Sequence, residues 1–187
     1  MLFAALNGHR LLIVMVVSLL LWCLYYLPPV RLKSRLLGGT ISHLAGGILH
    51  FQMGYIGFGM TDGQGWWISV FFALILAAGH FNHEMMDHDA DLASGYRTTT
   101  VRWGIGSGRW LRTAVSAMSV GWAVLLYVWQ MWTMVPLVAL TSASVVMTIA
   151  SVVSDAQGVK AFQQVSRGLF LAAGLIILAD RLWVVLT

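Results

Sequence analysis

Residues 66–91 read WWISVFFALILAAGHFNHEMMDHDAD. From Trp66 to Gly79 the stretch is uncharged and mostly apolar; then four acids, Glu84, Asp87, Asp89 and Asp91, fall within eight positions. At about 1.5 Å per residue, roughly 20 residues starting at Trp66 cross the hydrocarbon layer of a bilayer. The stretch therefore predicts a spanning helix that delivers its acids at the far membrane boundary. Only seven acidic residues occur in the whole chain, so more than half of its negative charge is gathered at this one place.

The surrounding sequence has the same character. Of 187 residues, 59% are hydrophobic and 10% charged, and the mean hydropathy is +0.80. A soluble domain covers its surface with roughly a quarter charged residues, so this composition excludes one and makes the membrane the solvent. The fold class expected is all-α: a polytopic transmembrane bundle of six spans in a single domain, residues 1–187. The spans are expected at about Arg10–Leu27, Gly39–Met60, Trp66 into the acidic cluster, Trp110–Trp132, Val135–Val153 and Gly168 to the C-terminus. The second is rich in Gly and polar residues, among them His43, Gly46, Gly47, His50 and Gln52. Small residues allow close helix approach, and buried polar groups need partners or a wet cavity, so this span should face the protein interior.

The formal charge of +4 and pI near 9.6 do not imply a nucleic-acid partner. The bases sit between apolar stretches, where the positive-inside rule expects them. Arg31, Lys33 and Arg35 fill the first loop; Arg97, Arg102, Arg109 and Arg112 fill or border the third; Lys160 and Arg167 flank the fifth. These loops are expected on the cytoplasmic side and both termini outside. The single cysteine, Cys23, rules out an internal disulfide.

At about 100° per residue, Glu84, Asp87 and Asp91 share one face of a continued third helix, and Asp89 points elsewhere. Three stacked carboxylates repel one another, and each would cost about 2.5–3.5 kcal/mol at a bilayer centre. A bound cation relieves both, and an all-oxygen donor set suits a hard ion such as Mg²⁺. The bases of the first and third loops lie on the same side, where they could hold phosphate oxygens bridged to that ion. Two other classes compete. His83-Glu84 with Asp87 gives H-E-x-x-D, a relative of the zinc-protease motif H-E-x-x-H, with Glu84 as base and His83 as ligand. Intramembrane acids also suit a non-enzymatic cation-binding or transporter-like subunit.

Two motifs carry a resemblance. Tyr25-Tyr26-Leu27-Pro28-Pro29-Val30-Arg31-Leu32-Lys33 resembles the YSxPPxRLK loop of UbiA-type prenyltransferases. Asn82 to Asp91, followed by Gly95-Tyr96-Arg97-Thr98-Thr99 and Val101-Arg102-Trp103-Gly104, looks like the second aspartate motif of that superfamily. The resemblance implies helices four to nine of a nine-helix fold. It also implies transfer of a polyprenyl group from a polyprenyl diphosphate to a lipophilic acceptor, with Mg²⁺ assisting ionisation. Quinone precursors, other aromatic rings and isoprenoids all serve as acceptors in the superfamily. Carried over by motif, Asp87 and Asp91 bind metal with Glu84 in support; Lys33, Arg31 and Arg97 contact diphosphate; and Tyr25 lines the site. Asp87, Asp91 and Lys33 form the catalytic set. The superfamily's first motif, NDxxDxxxD, has no counterpart here, since no acid precedes Asp62. The expectation is that three preceding helices complete the site and that this chain alone is inactive. A separate N-terminal chain or a second copy of this one would be the partner.

Overall fold

The computed structural model describes residues 8–153 and 158–186. Seven α-helices follow one another: α1 His9–Tyr26, α2 Gly38–Gly57, α3 Gln64–Met86, the short α4 His88–Ala93, α5 Thr99–Val128, α6 Met134–Val153 and α7 Gly158–Leu186. A single 3₁₀ turn, Leu32–Ser34, lies between α1 and α2, and no strand occurs among the described residues. Residues 154–157 of the expected fifth loop, and the side chain of Lys160, lie outside the described residues.

The all-α expectation holds. By length and composition three helices can cross a membrane, α1, α3 and α5, while the apolar stretches Met134–Ala150 and Gln164–Ala179 are shorter. The outer faces are what lipid requires: Ile13, Leu19 and Leu20 of α1, Met118 and Val124 of α5, and Val138 and Ile149 of α6 are exposed. Polarity is turned inward instead. Ser42, Ser69, Ser116, Ser119 and Arg112 are completely buried, and Ser42 and Ser119 donate to carbonyls of their own helices, Gly38 O at 2.8 Å and Ser116 O at 2.7 Å.

Helix α3 is the axis of the assembly, packed between α2 and α5; α1 leans on α2, α6 on α5 and α7 on α6. The α2–α3 crossing is close because Gly47 has no side chain: a Cβ there would lie 2.6 Å from Ala73 Cα. An apolar core of Phe71, Ala123, Leu126, Trp132, Leu140 and Ala173 joins α3, α5, α6 and α7.

Four features differ from expectation, the first being that α7 begins at Gly158, ten residues before the expected Gly168, and so includes Arg167 of the expected fifth loop. The third helix does not continue through the acids; it ends at Met86, and Asp87 (φ −94°, ψ 2°) is the break before α4. Helix α5 begins at Thr99, eleven residues before the expected Trp110, and bends at Gly104 (φ 83°, ψ 158°). Arg112 is not a loop base, since it is completely buried inside α5.

Candidate active site

The break at Asp87 sorts the acids. The Asp87 N–H donates to His83 O at 2.9 Å and the Asp91 N–H to Asp87 O at 2.8 Å, so backbone hydrogen bonding continues across the corner. Asp87 is exposed and Asp91 half-buried. Asp89 is fully exposed, with an oxygen 2.9 Å from His88 Nδ1. Burial, and then the charge of Asp87, push the Asp91 carboxyl above the usual carboxylate range; the neighbouring Thr98 hydroxyl and the charge of Lys33 pull it back.

Glu84 turns the other way. It is buried, and its Oε1 lies 2.9 Å from His80 Nε2. Its Oε2 accepts the Thr100 N–H at 3.2 Å, and its backbone carbonyl accepts the Thr100 hydroxyl at 2.9 Å. Thr100 stands in the first turn of α5, where backbone N–H groups lack helical partners and a carboxylate is favoured. Glu84 thus caps α5 from another helix. That cap explains the early start of α5.

The first loop lies across the third. Arg31, held at φ 43°, donates to the Tyr96 hydroxyl, with its guanidinium carbon 4.9 Å from that ring's centre. The Lys33 ammonium sits 5.2 Å from the Tyr26 ring and 5.7 Å from the Tyr96 ring. The Arg97 N–H donates to Ser34 O at 2.9 Å, and the Leu37 N–H to Thr99 Oγ1 at 3.4 Å. Two segments about sixty residues apart therefore form one surface bearing Arg31, Lys33, Asp87, Asp91 and Arg97. Tyr25 borders it, half-buried and edge-on to Trp22 at 5.3 Å and His43 at 5.5 Å.

Beneath this surface a cavity of about 850 Å³ opens between α2, α3, α6 and α7. Its walls are largely apolar, with Phe51, Phe72, Ile75 and Phe170, while His43, His80, Asn82 and His83 also contribute. Asn82 and His83, in the last turn of α3 before Asp87, are its lining residues nearest in sequence to the acids. The His43 and His80 rings stack at 4.1 Å and 17°. His43 and His50 line this cavity, with partners other than each other: His43 Nδ1 bonds Gly39 O at 2.8 Å, and His50 Nε2 accepts from Trp22 Nε1 at 3.4 Å.

The carboxylate of Glu84 is engaged by His80 and the Thr100 N–H, not turned to a water as the base of the protease reading needs. Among the described residues no three His, Cys, Asp or Glu side chains converge to hold a metal. Sequence reasoning assigned no site role to Tyr96, Arg112 or His80. Arg112 donates to Asn82 Oδ1 at 2.9 Å and so anchors the motif's first residue from inside α5. The signal was there: an Asn heading the acidic cluster, and a base set into an apolar helix.

A profile of the UbiA prenyltransferase family matches residues 1–179. No curated protein matches the chain. Among solved structures, the chain resembles a UbiA homolog from Archaeoglobus fulgidus, bound to GPP and Mg²⁺, at a TM-score of 0.66 and 19% identity. The match covers 93% of this chain and 64% of that one, and at this identity the likeness establishes the fold.

Proposed function

The chain belongs to the UbiA prenyltransferase family, and from that premise we propose that it binds a polyprenyl diphosphate and transfers its prenyl group to an aromatic or other lipophilic acceptor. The observation that carries this reading is the docking of the first loop on the third. It brings the charge of Lys33 to bear on Asp91 and ties Arg31 to Tyr96, whose N–H donates to Asp91 O at 2.9 Å. The six long helices are read as six spans, with this surface at the cytoplasmic boundary.

Asp87 and Asp91 fit Mg²⁺ by donor chemistry, offering only carboxylate oxygen. Burial, and then the charge of Asp87, raise the Asp91 carboxyl, and a cation shared by the two acids would offset that cost. Bound there, Mg²⁺ would neutralise charge on the departing diphosphate. Lys33, Arg31 and Arg97 hold the remaining phosphate oxygens as charge-assisted donors. Glu84, whose carboxylate is engaged by His80 and Thr100, supports the metal pair by fixing α3 against α5. The cavity of about 850 Å³ takes the prenyl tail, with Tyr25 at its polar mouth.

The test is incubation of the purified protein, alone and with a UbiA-type N-terminal helical segment supplied in trans, with labelled prenyl diphosphate. Mg²⁺-dependent release of diphosphate is expected, lost on Asp87→Asn and Asp91→Asn. Release that survives either substitution, or no release under either condition, would overturn the reading. Metal uptake without release would instead favour the cation-binding class.

A further inference from the structure

At the opposite end of α2 and α3 from the acidic cluster lies a second, smaller cavity of about 300 Å³. It plays no part in the reading above. Its polar lining comes from Arg10, Gln52, Tyr55 and Asp62, and its apolar lining includes Val14 and Trp66. Gln52 is 2% exposed, and its Nε2 has no hydrogen-bond partner. A buried amide donor without an acceptor is costly, so a residue lining a cavity in that state marks a place for an acceptor to enter.

The charges narrow the class of ligand. Arg10 and Asp62 face one cavity, yet they do not pair with each other: among the described residues the only ion pairs within 4 Å are His80–Glu84 and His88–Asp89. Asp62 is held in place, its Oδ1 accepting the Tyr55 hydroxyl at 2.9 Å and the Gln64 N–H at 2.9 Å. A cation, an amide donor and a fixed carboxylate lining one cavity complement a molecule carrying phosphate and ammonium together. Arg10 opens α1 and Trp66 lies in the first turn of α3, so the cavity sits at helix ends, the level of lipid headgroups. Its apolar wall continues onto the exposed Ile13 of α1.

We propose that this cavity binds the headgroup of a zwitterionic phospholipid of the ethanolamine type, its phosphate on Arg10 and Gln52 and its ammonium on Asp62. The ligand is a lipid, because the apolar wall leads from the cavity to the lipid-facing side of α1 and would be idle for a soluble ion.

Binding would be measured on the purified full chain in detergent by native mass spectrometry and by the shift in unfolding temperature. The probes are phosphatidylethanolamine, phosphatidylglycerol and soluble phosphoethanolamine. Phosphatidylethanolamine is expected to bind and stabilise, and Arg10→Ala, Asp62→Asn and Gln52→Leu each to weaken it by about tenfold or more, as loss of a charged hydrogen bond does. Arg10 and Asp62 are exposed, so their variants remain informative if Gln52→Leu does not fold. Equal stabilisation by phosphatidylglycerol would show that only phosphate is read and sink the zwitterion assignment. Equal stabilisation by phosphoethanolamine would remove the lipid. Undiminished binding by the Arg10 and Asp62 variants would place the lipid elsewhere.

Discussion

Asp91 is half-buried, and burial and the Asp87 charge raise its carboxyl above the ordinary range. The folded protein therefore holds that proton more tightly than the unfolded chain does. Above the raised value the ionised carboxylate costs stability, and this cost fades as pH falls through it. Asp91→Asn should then leave the metal-free protein at least as thermally stable as the parent near neutral pH, while removing stabilisation by added Mg²⁺. An unfolding temperature clearly below the parent's in chelator would mean that the charge is structural. Asp89, fully exposed, should tolerate Asn with most Mg²⁺-dependent turnover retained, and turnover assays on the three Asn variants would rank them. Glu84 behaves differently, because its removal strands His80 and the Thr100 N–H in a buried place. Glu84→Ala should cost about 1–3 kcal/mol, read by thermal unfolding, and Glu84→Gln less, since it keeps an acceptor. An unfolding temperature unchanged by Glu84→Ala would contradict the capping role.

At the level of elements, the α2–α3 crossing depends on Gly47, whose added Cβ would sit 2.6 Å from backbone Cα of Ala73, whereas Gly54 of the same helix has open space around it. Gly47→Ala should cost about 1–3 kcal/mol by overpacking, while Gly54→Ala should be neutral or slightly stabilising through helix propensity; unfolding temperatures of the pair decide it. The Gly-rich pattern of α2 made its inward orientation legible in the sequence. Hydropathy also located α1, α2, α3 and α6 to within a few residues, because apolar length is what a span requires. It could not locate the start of α5, since Thr99 to Arg109 is too polar to read as a span. Those residues are helical because Glu84 reaches across to cap them, a tertiary contact. For the same reason the break at Asp87 is invisible in the sequence, and a strict 100° period groups Glu84 with Asp87 and Asp91, whereas its carboxylate turns to His80 and Thr100. Arg112 borders a loop in the sequence, and although its apolar setting marks it out, its partner Asn82 is fixed only by the packing of α3 on α5. The loop surface itself was legible in outline from the two motifs, but not the Tyr96 contact that joins them.

Across the whole molecule, α3 separates two ends with different chemistry: the loop surface of Arg31, Lys33, Asp87 and Asp91 at one, and the Arg10, Gln52 and Asp62 cavity at the other. If α3 spans the bilayer, Thr61 and Ser94, both exposed, face opposite compartments. In a Cys23→Ser background, Thr61→Cys should react with an impermeant thiol reagent added outside cells, and Ser94→Cys only after permeabilisation. Labelling of both from one side would contradict the topology. The central claim is that two loops of one chain build a single Mg²⁺-dependent diphosphate site. Equilibrium binding of a labelled prenyl diphosphate to the purified protein, with Mg²⁺ or with chelator, tests it most directly when the parent is compared with Lys33→Gln and Asp91→Asn. The account predicts that chelator and each substitution weaken binding by about tenfold or more, in line with loss of a charged contact. Affinity that is indifferent to Mg²⁺, or that responds to only one of the two loops, would contradict it.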